Sequence, residues 1–414
     1  MDGIIRNRQY YKFSMYGFLK NLRFFDAFFV LFLIERGMSF TQIGILYATR
    51  EITINISEIP SGIIADTYGR KKSLVTSFII YIISFSVFYL GDGFLAFLTA
   101  LIFYGIADAF RSGTHKGMIM DYLVLINLEN QKINYYGHTR SWSHKGSALS
   151  SLIAGIIVFY SGTYDTIFLY SIIPYVFNLL LILSYPKSLG HANNRNSTKE
   201  KRSLTRILKA FFQTIKRPVV LRITNTTATH TAYLKAVKDY IQPLMLSISI
   251  ALPVMLTVDD EKKSGVVIGL IYFLIFVLNS FASKHAAKVA QIRGINIANV
   301  TLLSGLLLGI FCGLLMKYEL MIVSLIAFIG MYIIENIRKP ILTGYIADNV
   351  PNEILTSVIS VQSLFKTILT ALFAFGFGVI ADIYGIAISL TVISATILLI
   401  TVFLNFFVRK MKVS

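Results

Sequence analysis

The sequence predicts an all-α membrane protein with twelve transmembrane helices arranged as two similar six-helix bundles. Three observations carry the prediction. Of the 414 residues, 55% are hydrophobic and only 14% are charged, far less charge than a water-soluble chain of this length carries. Apolar stretches of about 20 residues recur from end to end, each long enough to cross the hydrocarbon core. The two halves also repeat each other. Asp108-Ala-Phe-Arg111, with Gly117 and Asp121 beyond it, returns as Glu335-Asn-Ile-Arg338, with Gly344 and Asp348, at a constant offset of 227 residues. Inside a bilayer the backbone must satisfy its own polar groups, in helices or in a closed barrel. A barrel shows short alternating segments, and these runs are continuous.

In order, the spans fall at about 15–34, 41–63, 73–91, 94–122, 134–160 and 165–185, then at about 224–254, 265–283, 296–316, 320–346, 354–380 and 386–408. The first follows Arg6, Arg8 and Lys12, a pattern that imitates a cleaved leader. Its apolar segment is long, lacks a small-residue cleavage site and precedes many others, so it reads as a retained span. The fifth and seventh spans are polar on one side. Leu189–Ser203, with Asn193, Asn194, Asn196 and Ser197, reads as a flexible linker. Leu204–Ile215 has helical spacing of its apolar residues, which fits a surface helix on the inner leaflet or an ordinary solvated helix. The expected organisation is an N-terminal bundle over 1–188, a basic linker over 189–217 and a C-terminal bundle over 218–414.

Charge sets the orientation. Pro186–Pro218 holds Lys187, Arg195, Lys199, Lys201, Arg202, Arg206, Lys209, Lys216 and Arg217 against Glu200 alone. Lys71 and Lys72, then Lys284, Lys288 and Arg293, then Arg409, Lys410 and Lys412 fall on the same side. The opposite connections, Gly91–Gly93, Ser161–Asp165 and Lys317–Glu319, are short. Both termini and the linker are therefore expected in the cytoplasm, in a cell membrane. The net charge of +18 reads as topology and contact with anionic lipid, with no nucleic-acid partner.

Between the second and third spans stands Gly62-Ile-Ile-Ala-Asp66-Thr-Tyr-Gly69-Arg70-Lys71-Lys72. It resembles the signature loop at that place in the major facilitator superfamily, and the resemblance covers essentially the whole chain. The matching place in the second half is degenerate, with Ser283, Ala286 and Ala290 where Gly62, Ala65 and Gly69 would stand and no acid for Asp66. The resemblance implies secondary transport by alternating access. It implies that Gly62, Asp66, Gly69 and Arg70, with Asp121 as partner acid, latch the cytoplasmic side. An acid in the first span beside such a loop resembles drug–proton antiporters. Gly378-Val-Ile-Ala-Asp382-Ile-Tyr-Gly385 repeats the spacing without the basic tail and reads as a helix-end turn on the opposite face.

Charges inside spans are costly unless paired or facing water, so each is a functional candidate. Asp26, Glu51 and Asp239 are the candidate proton-coupling acids. Arg23, Asp108, Arg111, Arg140, Trp142, Lys145, Lys235, Lys238, Glu335, Arg338 and Lys366 are candidates for a substrate cavity. Asp108–Arg111 and Glu335–Arg338 also have the spacing of self-neutralising structural pairs. The excess of bases argues for an anionic or zwitterionic solute. His138 and His144 are six apart and His230 stands alone, so no metal site is expected. No phosphate-binding loop is present, so no cofactor or nucleotide drive is expected. Cys312 is the only cysteine, which excludes an internal disulfide. The expected protein is a monomeric, non-enzymatic carrier of a small organic solute, exporting it against protons. The alternatives are proton-coupled uptake, a lipid-linked flippase of the same fold, and, from other classes, a membrane-embedded transferase and a non-transporting sensor.

Overall fold

The computed structural model describes residues 6–128, 131–186, 189, 218–290, 296–349 and 352–413. The expected linker helix over Leu204–Ile215 lies outside the described residues.

The chain makes twelve crossings. The first is interrupted: α1 (Arg8–Lys20) is followed by a 3₁₀ turn (Phe24–Ala27) and α2 (Phe29–Glu35). α3 (Phe40–Tyr68) and α4 (Arg70–Leu90) are the second and third. The fourth bends between α5 (Gly93–Arg111) and α6 (Thr114–Leu125), and α7 (Lys132–Ser161) and α8 (Thr166–Leu183) close the first half. The seventh repeats the interruption of the first: α9 (Pro218–Val237), a 3₁₀ turn (Lys238–Tyr240) and α10 (Ile241–Ala251). α11 (Asp260–Ala290), α12 (Ile297–Lys317) and α13 (Met321–Asn349) follow. α14 (Asn352–Val413) carries the last two crossings, separated at Gly385, whose φ of 83° breaks the helix.

Local chemistry explains several ends. Asn7 accepts the Tyr10 N–H at 3.0 Å, and Asn296 accepts the Asn299 N–H at 3.1 Å, each capping a helix start. Gly69 takes φ 99°, a conformation that opposes any Cβ, and there the chain turns from α3 into α4. Among the described residues, seven helices are long and apolar enough to span a membrane, and one of them covers both crossings of α14. The crossings outside that set include those of α1–α2, α3, α7 and α9–α10, which are broken or carry charge. The same crossings supply most of the candidate site.

By contact the chain forms two compact units. The first takes the described residues of Met1–Gly37, Thr53–Lys201 and Pro253–Phe276; the second takes those of Met38–Ile52, Arg202–Leu252 and Val277–Ser414. In the first unit α4 packs on α5 and α8, and α1 on α7 and α8. Ser77 and Ser84 donate to the Ala107 and Ala100 carbonyls at 2.7 Å, which lets α4 and α5 approach closely. Phe28, Phe32, Phe78, Phe85 and Tyr81 fill its core. In the second unit α9 packs on α14 and α12 on α13. There Gly44 lies against the Ala374 carbonyl, so the first part of α3 meets α14 backbone to backbone.

Candidate functional site

In the first unit, the 3₁₀ turn that interrupts the first crossing holds an ion pair. Arg23 Nη2 lies 2.9 Å from Asp26 Oδ2, and Arg23 Nη1 donates to the Tyr104 hydroxyl at 3.0 Å. On α5, Asp108 takes three donors: Arg111 Nη2 at 2.5 Å, Arg111 Nε at 3.0 Å and the Tyr81 hydroxyl at 2.5 Å. Lys20, the last residue of α1, stands within electrostatic reach of both pairs. Tyr16 stacks on His115 with ring centroids 3.6 Å apart. The pairs Arg23–Asp26 and Asp108–Arg111 thus share one polar region with Lys20, and both are only partly buried. Tyr81, Tyr104 and His115 are not legible in sequence as site residues, because none carries a standing charge inside a span; Lys20 does, six residues before Asp26, and what the sequence hides is its approach to Asp108 and Arg111.

The second unit builds a comparable cluster where the seventh crossing breaks. Glu51, 3% exposed, sits between two bases: Arg50 Nη2 at 3.2 Å and Lys235 Nζ. Asp239 pairs with Lys238 and accepts the Tyr47 hydroxyl at 2.8 Å. Arg50 also lies over the Tyr47 ring at 4.7 Å. The Tyr332 hydroxyl donates to the Lys238 carbonyl at 2.8 Å, in the 3₁₀ turn. Lys366 lies within electrostatic reach of Lys235. Glu51 and Lys235 are 184 residues apart, so sequence marks each as a candidate and hides their pairing.

The tenth crossing is wired differently from the fourth. Glu335 Oε2 meets His230 Nδ1 at 2.8 Å, and Glu335 Oε1 accepts the Thr231 hydroxyl at 2.9 Å. Arg338 is fully buried; it donates to the Ala298 carbonyl and the Thr301 hydroxyl at 2.7 Å and to the Thr226 carbonyl at 2.6 Å. Arg338 therefore fastens α13 to α9 and α12. His230 stands alone in sequence; its partner lies 105 residues away.

On α7, Arg140 is exposed, and Lys145 Nζ stands 5.3 Å from the centre of the Trp142 ring, which meets Phe18 edge-on at 6.5 Å. In the glycine-rich loop, Arg70 Nη1 lies 2.6 Å from Asp121 Oδ2. Its guanidinium crosses Gly117, where a Cβ would overlap Arg70. Asp66 and Gly62 are exposed. The side chain of Asp348, the counterpart of Asp121, lies outside the described residues.

This is a membrane carrier by fold: paired charges at two interrupted helices inside a twelve-crossing, two-bundle protein. The chain matches the Major Facilitator Superfamily over residues 18–374 and belongs to it. It is a secondary transporter, and the reading as a membrane-embedded transferase falls. An uncharacterized MFS-type transporter of Bacillus subtilis (strain 168), YxaM, is 24% identical over 402 residues, covering 94% of this chain and 92% of the relative. A hexuronate transporter of the same organism is 26% identical over 120 residues, 29% of this chain and 28% of that one. Among solved structures, the nucleoside transporter NupG superposes with TM-score 0.73 at 14% identity, covering 98% of this chain and 99% of that one. A bacterial homologue of the human lysosomal transporter Spinster gives TM-score 0.66 at 14% identity, with 97% of each chain covered.

Proposed function

We propose that this carrier moves a small organic zwitterion or anion out of the cell in exchange for protons. The observation that carries the reading is the charge at the seventh-crossing break, where Arg50, Lys235, Lys238 and Lys366 stand near Glu51 and Asp239. Interrupted helices with unpaired backbone ends and paired side-chain charges are a common way to build a solute site inside a membrane. Lys235 and Lys238 receive the acid end of the solute. The ammonium end of a zwitterion competes with a proton for Asp239, or for Asp26 beside Arg23. Competition between solute and proton for one acid yields exchange. Both termini face the cytoplasm, the cell membrane holds a monomer, and Arg70–Asp121 with Asp66 latches the inner side.

The second reading is proton-coupled uptake. A solute with no cationic end displaces Glu51 from Lys235; the released acid then takes up a proton, and solute and proton travel together. The hexuronate relative favours this reading, since a hexuronate is an anion without an ammonium group.

The test uses purified protein in liposomes loaded with a pH-sensitive dye. Amino acids, hexuronates, neutral sugars and quaternary amines are offered under a solute gradient. Exchange is expected: proton flux opposite to a zwitterion, lost in Asp239→Asn or, where Asp26 is the contested acid, in Asp26→Asn. Proton flux in the same direction as a hexuronate selects the uptake reading. A carrier that prefers neutral sugars or amines over both acids overturns the solute class.

A further inference from the structure

His230 has no role in the solute site described above, yet it is fully buried on α9. One ring nitrogen, Nδ1, is held by Glu335 at 2.8 Å. The other, Nε2, is buried with no hydrogen-bond partner among the described residues. It faces Gly305 of α12, where any Cβ would overlap the ring. Glu335 is 4% exposed and is steadied on its second oxygen by Thr231.

Among the described residues, the charged groups within reach of the ring are Glu335, Arg338 and Lys339, all from α13. Arg338 spends its Nη donors on carbonyls and on Thr301, so it does not contact Glu335 as an ion-pair partner. α12 brings Gly305 to the ring, and Tyr233, one turn along α9, meets Ser394 of α14 at 2.6 Å through its hydroxyl.

Proton accounting follows from this geometry. The Nδ1–Oε2 contact holds one proton. A second has its natural place on Nε2, giving an imidazolium beside a carboxylate. In the packed arrangement that new N–H would be a buried donor with no acceptor, which is unfavourable. Separation of α12 from α9 relieves it by admitting water. A proton from water on Nε2 therefore favours a different packing of α9 against α12, and its release to water restores the one seen here.

Resting on the transport reading, we propose that His230 and Glu335 form a second proton-loading site, apart from the acid that the solute contests, with His230 Nε2 as the atom that receives the proton.

The test is direct observation of the ring. Full-length protein with ¹⁵N-labelled histidine, in lipid nanodiscs, is titrated by NMR, and His230 is assigned by its loss in His230→Gln or by its displacement in Thr231→Val. The expected result is reversible protonation at Nε2 as the pH falls toward about 5. Glu335→Gln should move the midpoint down by about one unit or more, because the imidazolium loses its counter-charge. Thr231→Val leaves both titrating groups and removes a donor from the carboxylate; it should move the midpoint up by about half a unit. A ring that stays neutral in one tautomer from pH 5 to 9 overturns the proposal, and the unmodified protein suffices for that result. A midpoint insensitive to both Glu335→Gln and Thr231→Val overturns it too. Failure of the transport reading is told apart by the dye-loaded liposomes: it abolishes solute-coupled flux in the unmodified protein, whereas failure of this site leaves that flux intact beside a silent His230.

Discussion

The fourth and tenth crossings carry the same acid–x–x–arginine spacing and use it for different ends. On α5, Asp108 and Arg111 close on each other, with Tyr81 as a third member, and both side chains keep roughly a fifth of their surface open. On α13, Glu335 turns to His230 and Arg338 turns to backbone carbonyls, and Arg338 is wholly buried. The difference lies in what the neighbouring helices present. α4 offers a tyrosine hydroxyl to Asp108, whereas α9 and α12 offer Arg338 the carbonyls of Thr226 and Ala298. A repeat of sequence therefore fixes depth and helix face, and the partner helices decide whether the charges are available to a solute.

The largest expected effect tests that contrast. Arg338→Met removes three donors from buried acceptors and should cost roughly 2–4 kcal/mol of stability, seen as a lower unfolding temperature and reduced yield from membranes. Arg111→Met leaves Asp108 partly open and still bonded to Tyr81. It should cost about 1 kcal/mol. Equal destabilisation by the two substitutions would erase the contrast.

Sequence makes some of this legible and hides the rest for physical reasons. The spans are readable because the bilayer demands about 20 apolar residues in a row. Charged mid-span residues stand out against that background, as Asp26, Glu51, Lys235, Asp239 and Glu335 all do. The two helix breaks are not readable. Phe24, Phe25, Ala27 and Phe28 are as apolar as any helix, and hydropathy does not report a 3₁₀ turn. Pairing across long separations is not readable either, as in Glu51 with Lys235 or His230 with Glu335. Arg70 with Asp121 is legible only because the glycine-rich loop resembles a known one.

A smaller effect is expected at that loop, and it sharpens a second contrast, between a position where glycine leaves room for a charge and one where it leaves room for a ring. Gly117→Ala places a methyl group where the Arg70 guanidinium lies, so the Arg70–Asp121 contact must open. The loss should be about 1 kcal/mol, because the pair is partly exposed and screened. Accessibility labelling of a cysteine in place of the buried Ser73, one turn beyond Arg70, in a Cys312→Ala background keeps the pair intact and reads changes on the side of the membrane expected to be cytoplasmic. Greater reactivity at position 73 in Gly117→Ala is expected. Unchanged reactivity would mean that the loop glycines set helix packing alone.

The smallest expected effect concerns the spacing that occurs twice, Gly62 to Gly69 and Gly378 to Gly385. Asp66 is exposed near the end of α3. Asp382 instead accepts the Phe40 and Thr41 N–H groups at 2.7 and 2.8 Å, at the start of the same helix, where free donors and the helix dipole both favour an anion. Partial desolvation raises the Asp382 pKa, and hydrogen bonds from Thr41, Phe40 and Ser39 outweigh it, so the carboxyl lies below its ordinary value. A depressed folded value means the cap stabilises above the ordinary carboxylate range and fades as pH falls through the folded value. Asp382→Ala should thus cost about 1 kcal/mol or less at pH 7. The gap between variant and unmodified protein should narrow in acid. Thermal unfolding of both proteins at pH 7 and at about pH 3.5, near or below the ordinary carboxylate range, measures this. A gap that stays constant across that range would assign the effect to packing beside Gly378, where the Phe40 carbonyl already occupies the space of a Cβ, and not to the charge.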